Sequence, residues 1–81
     1  MDKIIVDKNA KQKLIDKIAN KIIDIGRKKA SEGITYFTYN KNRPGVDYTA
    51  IIRLIEHKTD NTITCVERGH SNYTIKFRIG E

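Results

Sequence analysis

The chain has one cysteine, one proline, one methionine and no tryptophan in 81 residues. A single cysteine excludes an intrachain disulfide framework. Cys65 sits inside an apolar run, where a lone thiol reads as a small core residue and fits a reducing, cytoplasmic setting. Long apolar stretches are also missing. The longest run three residues, as in Ile4 to Val6 and Ala50 to Ile52, against the ~20 needed to span a bilayer. Ile4-Ile5-Val6 is followed at once by Asp7 and Lys8, so no signal-peptide core forms and no membrane partner is expected. There are no repeats, no low-complexity tract and no linker. Eighty-one residues predict one domain, 1–81. Such a chain buries only roughly 60–65 % of its unfolded surface, so its core is thin.

Cations are what the chain has in excess. Sixteen Lys and Arg face ten Asp and Glu, a net +6. A field of this sign attracts nucleic acid or an acidic protein surface, although it also lies within the range that keeps small domains soluble. The abundance of Ile, Lys, Asn and Thr resembles proteins encoded by AT-rich genomes and their phages.

Apolar residues then set the expected elements. Residues 3–6 predict an edge strand or a packed N-terminal arm. Asp7 or Asn9 can cap a following helix. From Ala10 onward, Leu14, Ile18, Ile22 and Ile25 fall on one face, widened by Ile15, Ala19 and Ile23. The opposite face carries Lys13, Asp16, Lys17, Asn20, Lys21, Asp24 and Lys28. Gly26 is costly in a helix interior; continuation to about Ser31, with Gly33 as the residue after the C-cap, is the reading adopted. Beyond Gly33 the period becomes two. Strands are expected over 34–39, 47–57, 62–68 and 73–79, separated by turns at 40–45, 57–61 and 68–72. In 47–57, Ala50, Ile51, Ile52, Leu54 and Ile55 place apolar groups on both faces, which predicts a central strand. The expected fold is α+β: an N-terminal amphipathic helix on one face of a four-stranded antiparallel meander, with a short extra N-terminal strand as an option.

That layout would put Ala50, Ile52, Leu54, Ile63, Cys65, Tyr73, Ile75, Phe77 and Ile79 beneath the helix. The other face would show Arg53, Lys76 and Arg78, together with Thr49, Thr64, Arg68 and Thr74, beside Ile51, Ile55 and Val66. Lys41, Arg43, Arg68 and His70 would gather at one end of the sheet, near the helix N-terminus, as an anion site. Candidate nucleic-acid contacts are therefore Lys41, Arg43, Arg53, Arg68, His70, Lys76 and Arg78.

Little points to catalysis. His57 and His70 fall in turns at opposite ends, with no Cys/His spacing for a metal. No glycine-rich phosphate loop occurs, so no cofactor is expected. His70, beside Ser71, is the one candidate general acid/base. The order of one helix and then antiparallel strands resembles the barnase–RelE class of small RNases, whose sheets are lined by cations and a His or Tyr. No catalytic motif matches residue by residue, so the resemblance assigns no residue here.

The leading expectation is a basic, non-enzymatic nucleic-acid-binding accessory or regulatory factor of phage or mobile-element type. The alternative is an inhibitor or adaptor docking on a host enzyme, of anti-defence type, with Ile51, Ile55 and Val66 or a helix flank as its apolar centre, or a homodimer through the same patch. A small RNase using His70 ranks third.

Overall fold

The structure is a computed structural model describing residues 3–41, 43–67 and 74–80. Helix α1 runs Lys8–Ser31, strand β1 Tyr36–Asn40, helix α2 Tyr48–Lys58, strand β2 Ile63–Glu67 and strand β3 Thr74–Ile79.

Both ends of α1 are written into the sequence. Asp7 is the N-cap, its carboxylate accepting from the backbone N–H of Asn9 (2.8 Å) and Ala10 (3.2 Å). At the other end Gly33 takes φ +79°, and the N–H groups of Gly33 and Ile34 donate to the carbonyls of Ala30 and Lys29. This paired bonding closes the helix in a Schellman turn. Gly26 stays helical and buried. A Cβ there would meet Ile63 Cδ1 at 2.7 Å and Phe37 Cε1 at 3.3 Å, so the missing side chain is what lets α1 approach the sheet.

Residues 48–58 are helix, not the central strand that the apolar content predicts. Tyr48, Ile51, Ile52 and Ile55 lie one helical turn apart and form one stripe. A period-two reading spreads the same residues over both faces. Asp47 caps α2 by accepting from Ala50 N–H at 3.1 Å, and Asp60 and Asn61, at φ +50° and +61°, turn the chain out of it. The sheet accordingly has three strands rather than four. Among the described residues no strand forms over residues 3–6.

Strand order is β1-β3-β2, not the sequential order of a meander. β3 is antiparallel to both neighbours, so β1 and β2 run parallel to one another and α2 makes the crossover between them. Register pairs Phe37 with Phe77 and Tyr39 with Ile75 on one side, and Ile63 with Ile79 and Cys65 with Phe77 on the other. A bulge falls between Cys65 and Glu67. Alternation sends Phe37, Tyr39, Ile75, Phe77, Ile63 and Cys65 toward the helices. There they meet Ile15, Ile18, Ala19, Ile22 and Ile23 of α1 and Ile51, Ile52 and Ile55 of α2. Phe37 and Phe77 stack across the two strands with centroids 5.2 Å apart. Lys58 ties the end of α2 to α1, donating to Asn20 Oδ1 (3.1 Å) with Asp16 Oδ1 at 3.9 Å.

The second helix changes the chemistry of the other face. Ile51 and Ile55, expected on the open side of the sheet, are fully buried. Arg53 leaves the sheet altogether. The order of one helix followed only by strands, which carried the RNase resemblance, does not hold.

Candidate nucleic-acid interface

Electrostatics point first to α1. It holds eight of the sixteen cations against Asp16 and Asp24, a net +6 equal to that of the whole chain. The remaining residues balance. The helical period fixes where these charges go. Ile15, Ile18, Ala19, Ile22, Ile23 and Gly26 mark the buried stripe, and Lys13, Lys17, Lys21 and Lys28 fall opposite it, all exposed. Asp24 is the acid among them, and it faces Arg27 at 4.0 Å. Both of these side chains are about three-quarters exposed, so their pairing is weak.

On one flank of that stripe lies a pocket of about 180 Å³ lined by Lys17, Ile18, Lys21, Tyr39, Arg43 and Tyr48. Four segments build it. α1 supplies two lysines one turn apart and the buried Ile18, the end of β1 supplies Tyr39, the following loop Arg43, and the first residue of α2 Tyr48. Among the described residues no acid lines it. The acids nearest in sequence are Asp16, 3.9 Å from Lys58, Asp24, in its weak pairing with Arg27, and Asp47, which caps α2 through the Ala50 N–H. Lys17, Lys21 and Arg43 have no ion-pair partner among the described residues. Cations of one sign held together without a counter-ion are an arrangement that an anionic ligand completes.

The expected site residues divide. Arg43 lines this pocket, and Lys41 lies half-buried in the same loop without lining it. Lys76 and Arg78 do point to the open face of β3, where they pair in register with Thr38 and Tyr36. Lys76 Nζ stands 5.2 Å from the Tyr36 ring centroid, a cation–π contact on an exposed tyrosine. Tyr36 thus faces opposite to Phe37 and Tyr39, as strand alternation requires. Arg53 does not join them. It lies in the helical layer, in a groove with Gln12, Thr49 and His57, so the expected triad of Arg53, Lys76 and Arg78 is not assembled. Arg68, His70 and Tyr73 lie outside the described residues.

Asn40, where β1 ends, is the register partner of Thr74, where β3 begins. These two strand ends therefore lie together at one end of the sheet. The pocket components that sequence reasoning did not single out are Lys17, Lys21, Tyr39 and Tyr48. Their signal was the lysine pair at i,i+4 on the polar face of α1; the tyrosines join it only through tertiary packing.

Among the described residues no group of three His, Cys, Asp or Glu is placed to hold a metal ion. No helix is long and apolar enough to cross a membrane. Comparison with known proteins finds no matching family model, no similar curated protein and no similar solved structure.

Proposed function

We propose that the protein binds nucleic acid through the outward face of α1, as a small basic binding module. The observation that carries this reading is the segregation of the whole net charge onto one helix, with Lys13, Lys17, Lys21 and Lys28 spaced along its exposed stripe. Lys13, Lys17 and Lys21 follow one another at about 6 Å along the axis and Lys28 lies about 10 Å further on, spacings that let each meet a different phosphate. Contacts of this kind position a protein on the backbone without reading sequence.

Binding driven by phosphate neutralisation releases counterions, so affinity falls steeply with salt. The test is oligonucleotide binding across a salt series. The double variant Lys13→Gln/Lys28→Gln weakens binding and flattens its salt dependence, whereas Arg53→Gln, on the other flank, leaves the slope as it is. Binding that ignores salt overturns the proposal.

The open sheet face is the weaker candidate for this role. Among the described residues it offers two cations, Lys76 and Arg78, and Lys76 contacts Tyr36. The docking alternative loses the expected open-face patch, because Ile51 and Ile55 are buried and only Val66 of that group is exposed, and it is left with a helix flank as its apolar centre.

A further inference from the structure

We propose that the pocket formed by Lys17, Lys21 and Arg43 seats the terminal phosphomonoester of a nucleic-acid strand, an assignment that rests on the nucleic-acid reading above. A backbone phosphodiester carries one negative charge. A terminal phosphate carries about −1.5 to −2 at neutral pH and presents three acceptor oxygens. Three cations line this one pocket with no acid among its described lining residues, more than a single diester would balance. Lys13 and Lys28, on the same helix face, do not line it and suit the backbone instead.

Size and donor chemistry agree. A pocket of about 180 Å³ has room for a phosphate group. Arg43 brings a planar guanidinium that can bind two phosphate oxygens at once, and the lysines add compact charges. Tyr39 and Tyr48, both half-buried, add phenolic hydroxyls able to donate to the remaining oxygen. Ile18, buried in the core, forms an apolar wall. A less hydrated wall of this kind strengthens the attraction between the cations and the bound dianion.

The site differs from the stripe in what it would recognise. The stripe follows a backbone anywhere along a strand, while the pocket can be filled only where a strand ends or is nicked.

The experiment uses the full chain and three fluorescent single-stranded oligonucleotides of one sequence, bearing a 5′-phosphate, a 3′-phosphate or hydroxyls at both ends. Fluorescence anisotropy at low salt reads their affinities. One phosphorylated form is expected to bind at least about tenfold more tightly than the hydroxyl form, a difference of 1.4 kcal/mol. Inorganic phosphate at millimolar concentration removes that advantage without releasing the hydroxyl-ended strand. Lys17→Gln/Arg43→Gln abolishes the advantage, and a circular-dichroism melt confirms that this variant folds, since both side chains are exposed. Lys13→Gln lowers all three affinities alike. Equal binding of the three oligonucleotides, with steep salt dependence retained, overturns the terminal-phosphate assignment and leaves the nucleic-acid reading standing. Absence of binding to any of them at low salt overturns both.

Discussion

Gly26 of α1 lies against Ile63 of β2 so closely that a Cβ on the glycine would stand 2.7 Å from Ile63 Cδ1. The contact explains a residue that is unfavourable in a helix by about 1 kcal/mol relative to alanine. What the helix loses locally, it regains by setting its apolar stripe directly on β1 and β2.

Two opposing effects therefore meet in Gly26→Ala. The helix gains about 1 kcal/mol of propensity, while overpacking costs typically about 1–3 kcal/mol. The expected sum is a destabilisation of up to about 2 kcal/mol. Ile63→Val removes Cδ1, so Gly26→Ala made in that background should become neutral or stabilising. Urea unfolding of the four proteins measures the coupling. An identical effect of Gly26→Ala in both backgrounds would show that Ile63 is not the obstacle.

Phe77 is fully buried on the central strand and stacks on Phe37 with ring planes 19° apart. Truncation to alanine is expected to cost about 3–5 kcal/mol. For a domain this small that is close to its total stability. Phe77→Ala should lack a cooperative thermal transition at 25 °C and above, whereas Phe77→Leu should keep one at a lower Tm. A Phe77→Ala variant that melts like the parent would contradict the described core.

The helical assignment of residues 48–58 has its own test. Asp47 caps α2 with a single side-chain bond to the Ala50 N–H. Asp47→Ala should cost about 0.5–2 kcal/mol, and Cα chemical shifts over 48–58 should be helical in the parent. Strand-like shifts there, or indifference to the loss of Asp47, would remove α2.

Much of the fold was legible because some segments announce one period only. In α1 the apolar residues from Leu14 to Gly26 keep to one side for more than three turns, and Asp7 and Gly33 mark its ends. In β3, Ile75, Phe77 and Ile79 alternate with Lys76 and Arg78, and the burial follows that alternation. Residues 48–58 are different. They are short, and Ile51-Ile52 and Leu54-Ile55 are adjacent pairs, a pattern that a buried strand and a buried helix share. The Asp47 cap was the signal that distinguishes them, and reading Asp47 as the first residue of a strand over 47–57 hid the helix. That one misassignment displaced Arg53, Ile51 and Ile55 from their true environments. It also hid the pocket, because Tyr48 reaches Lys17 and Lys21 only when α2 packs beside α1. Strand order was not legible either: without the crossover helix, short turns imply a meander.

The account stands most directly on the salt dependence of oligonucleotide binding. On hydroxyl-ended strands, where no terminal phosphate draws Lys17 and Lys21 into the pocket, the four lysines opposite the buried stripe of α1 each meet one backbone phosphate, and a plot of log affinity against log salt should fall with a slope near −3 for a single strand and somewhat steeper for a duplex. Lys13→Gln/Lys28→Gln should flatten that slope by about half. A flat plot for the parent, or a slope that the double substitution does not change, would contradict it.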